Sequence, residues 1–404
     1  MANWKENVWF KGDRTLWYVI IGLMIASVVV VYSSTGRLAK GNPIFFLGKQ
    51  VGIIAVCFFL IYWLQSVHYK YFLGFAKAVL WLGIALLIVA KFAGTTLNSA
   101  DRWIRIPWIG LTFQPSEIAK LGAVMYTARI LSFGQTERGC EDGVLRRMLY
   151  VLAAICLIFL DNFSTSVLLG AVCLIMLFIG RIRTAKMLAI LAGVTGAVAL
   201  VVALSFTPKV GEMWRLPTIK SRVTAFFSGG EEESYQADQA KIAVAKGGLI
   251  GTGPGNSVQR NFLPHPYSDF IFAIIVEEYG LIGGGVILLL FLIILYRVGV
   301  IVRRCTRTFP ALLAAGLGIM IVLQALINMG VCVGFFPVTG QPLPLVSMGG
   351  TSLLFTSVAF GMILSVAHTF DEEGEREEQA AEATAGTAGE EEPAAVEEKT
   401  MEIQ

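Results

Sequence analysis

Charge is scarce in this 404-residue chain: Asp, Glu, Lys and Arg make up 15% of it, against 55% hydrophobic residues. A soluble domain carries about 25% charged residues, so a water-facing globule is excluded. The six cysteines, at 57, 140, 156, 173, 305 and 332, show no metal-ligand spacing. Most sit inside apolar runs and read as small apolar fillers. A dinucleotide-binding fingerprint is missing too, because the glycine cluster at 251–255 has the spacing G-x-G-x-G and follows no strand.

Apolar length is what the chain has instead. Runs of roughly 20 apolar residues recur, each able to cross a bilayer core of about 30 Å. The expected spans are 16–33, 44–64, 73–92, 113–132, 148–160, 164–180, 187–207, 269–296, 309–333 and 349–368. The first follows a basic flank but lacks a small-x-small cleavage site, so it is read as a retained span. Lys and Arg gather in alternate short connections: Lys5, Lys11 and Arg14; Arg138, Arg146 and Arg147; Arg181, Arg183 and Lys186; Arg303, Arg304 and Arg307. The positive-inside rule then places both termini in the cytoplasm. The expected fold is an all-α polytopic membrane protein of about ten spans, with one long structured external loop at 208–268. Acids are uneven as well: 13 of the 29, with two of the 32 bases, follow residue 370. The division is therefore a membrane domain over 1–370 and a disordered acidic tail over 371–404.

Four external stretches carry the polar residues. The stretch 101–108 alternates Arg102 and Arg105 with Trp103 and Trp108, as an interfacial segment meeting lipid phosphates would. Gln114-Pro115-Ser116-Glu117 then opens the fourth span. Glu117 and Lys120 are three apart on one helical face, where they form either a functional pair or a structural ion pair joining helices. Asp161 and Asn162 form a turn, with capping by either of them or by Ser164.

Residues 234–246 read as a helix ended by Gly247-Gly248. The glycines at 251, 253 and 255 follow, either as a nest of amides for a phosphate or as a plain flexible turn. Pro264 and Pro266 keep the chain extended, so helix begins after them, with Ser268 as N-cap and Asp269 in the first turn. Capping alone accounts for a carboxylate there. The last stretch, 336–352, carries three prolines and three glycines between two spans, and irregular backbone at that depth must be buried or line a cavity.

In these motifs the chain resembles the SEDS family (shape, elongation, division and sporulation), most of all its division member. Arg102-Trp103 leads to Gln114-Pro115-Ser116-Glu117 and Lys120; then come the helix and glycine loop of 235–257, Leu263-Pro264 through Asp269 to Glu277-Glu278, and Pro337 through Gly340 and Pro344 to Ser352. The order matches the family and spans residues 102–352.

The resemblance implies a bacterial inner-membrane enzyme at the division septum. It would polymerise lipid II into β-1,4 glycan and release undecaprenyl pyrophosphate. It implies Asp269 as the catalytic carboxylate and general base. Its substrate-binding set is Arg102, Trp103, Gln114, Glu117, Lys120, Thr165, Gln236, Lys241, Gly253, Gly255, Ser257, Thr339, Gly340, Pro344, Ser347, Gly349, Gly350 and Ser352. His265 stands where the family has glutamate, and Asp161 stands near a family carboxylate; both are accessory candidates. Arg102, Arg105, Lys120, Lys241, Lys246 and Arg260 supply positive charge externally, the pool from which any partners of the leaving pyrophosphate come. A divalent ion such as Mg or Mn could assist, with no ligand set identified.

The implied partners are a class B penicillin-binding transpeptidase docked on the eighth and ninth spans, other divisome membrane proteins and membrane lipids; nucleic acid is not among them. A lipid II flippase or secondary transporter, and a non-enzymatic divisome scaffold, are the competing readings.

Overall fold

The computed structural model describes residues 10–35, 43–93, 95–97, 100–105, 112–136, 139–140, 143–207, 220, 224, 231–264, 266–372 and 374. His265 and nearly all of the acidic tail lie outside the described residues. Helix α1, Arg14–Ser34, begins at an Asp13 cap, whose Oδ1 accepts from the Leu16 amide at 2.9 Å. Helices α2, Pro43–Leu64, and α3, Tyr69–Ala93, follow.

The connection read as an interfacial segment is in part a small antiparallel sheet. Strands β1 (Thr95–Leu97), β2 (Ala100–Arg105) and β3 (Thr112–Phe113) pair in that order, with Thr95 opposite Trp103 and Ile104 opposite Phe113. β-branched and aromatic residues favour such pairing, a signal that the interfacial reading passed over.

Helix α4, Pro115–Phe133, is the buried axis of the bundle. Small residues let its backbone approach α3: a Cβ on Gly83 would lie 2.7 Å from the Ala119 Cα, and one on Gly122 would lie 2.8 Å from that of Leu80. A short hairpin, β4 (Gln135–Thr136) with β5 (Gly139–Cys140), leads to α5, Gly143–Arg147, and α6, Leu149–Asp161. Helix α7, Phe163–Ile179, starts at Asn162, whose Oδ1 accepts from the Thr165 amide at 3.3 Å. Of the three capping candidates at that turn, Asn162 is the one used.

Helix α8, Thr184–Ser205, leans on α7 and buries only Ser205. Then come α9, Glu231–Gly247, a 3₁₀ turn at Gln259–Asn261, α10, Ile271–Arg304, α11, Thr308–Cys332, and α12, Gly350–Glu372.

Among the described residues eight helices are long and apolar enough to cross a membrane, counting α5 and α6 together as one span, Gly143–Leu160. Helix α4 differs because it carries Glu117, Lys120 and Arg129, and α7 because it has 17 residues. Helix α10 starts two residues later than the expected span and runs eight further. Helix α12 continues through Asp371 and Glu372, which pair with Arg304 (3.7 Å) and His368 (3.1 Å). Ordered structure thus crosses the expected boundary at 370. Helix α11 is largely buried by its neighbours, so of the two spans expected to dock a partner only α10 presents a long apolar face, through Ile282, Val286, Leu289 and Tyr296.

Candidate active site

The site is built by α11. Gln324 and Asn328 lie one turn apart in an otherwise apolar helix, so both amides point to the same side. Asn328 Nδ2 donates to the Asp269 carbonyl at 2.8 Å and to the Gln341 carbonyl at 2.7 Å. Gln324 Nε2 donates to the Pro342 carbonyl at 2.9 Å, while its Oε1 accepts from Lys120 Nζ at 3.4 Å. One turn of helix therefore ties Asp269, the proline-rich loop and the Glu117–Lys120 pair together. That pair is real: Lys120 Nζ lies 2.9 Å from Glu117 Oε1, and both side chains are buried.

The proline-rich loop closes over the turn that carries Asp269. Ser347 Oγ accepts from the Leu343 amide and donates to the Ser268 carbonyl at 2.6 Å, and the Met348 amide donates to the Tyr267 carbonyl at 2.8 Å. Gln341 Nε2 reaches Thr165 Oγ1 at 2.6 Å, bringing the start of α7 to the same place. Ser27 of α1 donates to the Val346 carbonyl and accepts from Gln50 of α2. Leu345 holds a left-handed φ of 59° inside this loop, a backbone state that a non-glycine residue keeps only when its surroundings fix it. Pro344, with Glu117, Lys120 and Gln324, lines a small cavity beneath, so the loop does form a cavity wall. At Gly340, φ is 64°, a left-handed backbone that favours glycine, and a Cβ there would stand in ordinary contact with Asp269 Oδ2 at 3.6 Å.

Asp269 itself is placed differently from expectation. The N-cap of α10 is Phe270, without a side-chain cap, so Asp269 precedes the helix and Ser268 does not cap it. The turn at 266–270 is held instead by Asn328 and Ser347, and Ser268 Oγ donates to Asp269 Oδ1 at 2.8 Å. Asp269 is half-exposed, whereas Glu117, Glu277 and Glu278 at this end of the bundle are buried. Burial, and secondly the charge of Asp269, push the Tyr267 phenol above its ordinary range, so it stays protonated beside the site.

The glycine loop is not an anion nest through Gly251 and Gly253. Their amides donate to the carbonyls of Gly247 and Glu278, at 2.8 and 3.0 Å. It is no free turn either, because it packs into a break in α10 at Gly280 (φ 69°). Ser257 donates to Glu277.

The described cations are also engaged. Lys241 pairs with Asp238 at 3.2 Å, Lys246 lies 3.6 Å from Glu277, and Arg260 donates to the Ser33 carbonyl at 2.8 Å. Gln236 and Lys241 lie on α9, and the Lys241 stem passes against Gly334 at the end of α11. Gln114 caps α4 and lines a second small cavity with Asn162. Thr339 and Gly349 lie in the proline-rich loop; Gly350 and Ser352 open α12. The backbones of Arg102 and Trp103 lie in β2, and that of Asp161 ends α6; their side chains lie outside the described set.

Gln324, Asn328 and Gln341 were absent from the sequence reading. Two amides at i and i+4 in an apolar span were the available signal for the first two.

Fold and site together define a polytopic helical membrane protein with a polar, loop-walled site at one end of its bundle. The profile of the cell cycle protein family FTSW_RODA_SPOVE matches residues 13–372. The chain belongs to that family, the SEDS family of the sequence resemblance. A protein of Nitrosococcus halophilus (strain Nc4) named "Probable peptidoglycan glycosyltransferase FtsW" is 35% identical, over 88% of this chain and 92% of its own. One of the same name from Coxiella burnetii (strain RSA 493) is 32% identical, over 91% and 97%. A solved chain described under "Structural coordination of polymerization and crosslinking by a peptidoglycan synthase complex" superposes with a TM-score of 0.73 at 22% identity. It covers 90% of this chain and 99% of its own, and shares the fold.

Proposed function

We propose that this protein is a peptidoglycan glycosyltransferase that polymerises lipid II at the division septum, with Asp269 as general base. The observation that carries this reading is the half-exposed Asp269, anchored by its own backbone to α11 and roofed by the proline-rich loop. Its carboxylate takes the proton from the O4 hydroxyl of the acceptor sugar as that oxygen bonds to the donor's anomeric carbon. The bond from that carbon to the pyrophosphate oxygen breaks, and undecaprenyl pyrophosphate leaves as an anion. Lys120, held by Glu117 and Gln324, supplies fixed positive potential beneath the site.

Among the described residues no three His, Cys, Asp or Glu side chains gather as metal ligands. An Mg ion held through one or two carboxylates and substrate phosphates needs no such cluster.

We read ten spans, the eight apolar helices with α4 and α7, placing both termini in the cytoplasm of the inner membrane and the Asp269 end outside. The transpeptidase partner fits the exposed apolar face of α10. The decisive experiment presents lipid II on the outer face of proteoliposomes holding the protein and its transpeptidase. Glycan strands form if the reading is right. Lipid II translocation without polymer identifies a flippase, and neither product leaves the scaffold reading.

A further inference from the structure

Helix α10 is in two pieces, and residues 247–259 repair the break. Gly280 interrupts the helical path, and the carbonyls of Glu277 and Glu278 then accept from the Thr252 and Gly253 amides at 2.9 and 3.0 Å. The Leu281 and Ile282 amides donate to the carbonyls of Gly248 and Leu249. A side chain at Gly251 or Gly280 would strike the opposite backbone, so only glycine permits this approach.

Beside the splice lie two fully buried carboxylates. Glu277 accepts from Ser257 Oγ, from the Val258 amide at 3.0 Å and from the Gln259 amide at 3.2 Å, with Lys246 Nζ 3.6 Å away. Glu278 Oε1 accepts from Ser33 Oγ of α1 and, at 3.4 Å, from the Ser257 amide; its Oε2 has no hydrogen-bond partner among the described residues.

We propose that Glu277 is a positioning residue: its carboxylate clasps 257–259 against α10 and thereby fixes where the segment leading to Asp269 lies. This rests on the polymerase reading above. The geometry supports it because the segment 257–269 is held at both ends. Glu277 grips the first three residues, while Ser347 and Asn328 grip Ser268 and Asp269. Pro264 and Pro266 stiffen the stretch between, so a shift at the clasp is passed along rather than absorbed. Glu277 is fully buried and both of its oxygens are engaged by residues 257–259, so it does not touch the acceptor itself.

Glu277→Gln keeps shape but sets an amide N–H₂ against donors. In the complex with its transpeptidase, kcat for polymerisation should fall about 10–100-fold, in the range that small misplacements bring, with KM for lipid II within about twofold. Hydrogen exchange of the 257–261 amides should rise at least tenfold in the same variant. Ser257→Ala should lose about 3–10-fold in kcat, and the double variant should be no worse than Glu277→Gln alone, because both act through one clasp. Should Glu277→Gln not fold, Ser257→Ala carries the test.

Unchanged exchange in the variants, or faster exchange with normal kcat, overturns the proposal. A loss confined to KM overturns it too, by making Glu277 a substrate-binding group. No glycan from the wild-type complex refutes the polymerase reading itself, while the exchange data still report whether the clasp exists.

Discussion

At the start of α1, Asp13 is buried and gripped by Arg297, whose Nε lies 2.9 Å from Oδ2; at the other end, some 20 residues and about 30 Å away, Ser33 meets Glu278. Both ends of the bundle hold buried charge, and the Asp13 end has a cavity of about 290 Å³, lined by Arg14, Arg297, Arg304 and Asp371. Yet its anchored carboxylate is matched by a guanidinium that donates twice to Oδ2, and it lies between helices. At the Asp269 end the carboxylate is half-exposed, sits in a turn and is fixed through its backbone carbonyl. Under the proposed function, the contrast teaches that neither a cavity nor a buried ion pair by itself locates chemistry, whereas an accessible ionisable group on rigidly held irregular backbone does.

Breaking an ion pair at each end should separate stability from activity. Lys120→Met leaves Glu117 buried without its cation and should destabilise the fold by about 3–5 kcal/mol. Polymerisation per folded molecule should fall at least tenfold. Asp13→Asn keeps the cap on α1 but loses its charge; it should cost about 3 kcal/mol, at the low end because Arg297 retains 24% exposure. Activity per folded molecule should stay within twofold. Thermal unfolding in detergent and a lipid II assay on the folded fraction read both quantities. Equal activity loss in the two variants would erase the distinction drawn here.

Asn328→Leu sharpens the comparison at intermediate size. It removes the donor shared by the Asp269 and Gln341 carbonyls, and should destabilise by about 1–3 kcal/mol. Because it frees the turn that carries Asp269, kcat should fall more than stability explains, and Asn328→Asp should not restore it. Lys241→Ala is the smallest change. Its pair with Asp238 is solvent-exposed and should contribute under about 1 kcal/mol. If pyrophosphate uses Lys241, KM for lipid II rises in that variant while the melting temperature stays put.

Much of this was legible in the chain. Apolar runs located most of the membrane helices to within a few residues, α10 running eight further, since burial in lipid demands length and apolarity and little else. Spacing alone placed Glu117 beside Lys120, because a helix puts residues three apart on one face. The helix over 234–246 was legible for the same reason. What escaped depends on distant contacts. Gln341 and Thr165 are 176 residues apart, and nothing local to either announces their bond. Neither alternative for the glycine cluster, a phosphate nest or a flexible turn, holds, because the break at Gly280 supplies carbonyls that engage the Thr252 and Gly253 amides. Asp269 lies outside the helix, in a turn held by Asn328 and Ser347, both remote in sequence.

The central claim, that Asp269 is the base of a polymerising site, is tested most directly by Asp269→Asn. The purified variant with its transpeptidase is assayed for glycan formation from lipid II. Asparagine keeps the size and the backbone anchor to Asn328 but accepts no proton. Polymerisation should fall about 10²–10⁴-fold at an unchanged melting temperature. Wild-type glycan yield from Asp269→Asn would contradict the account.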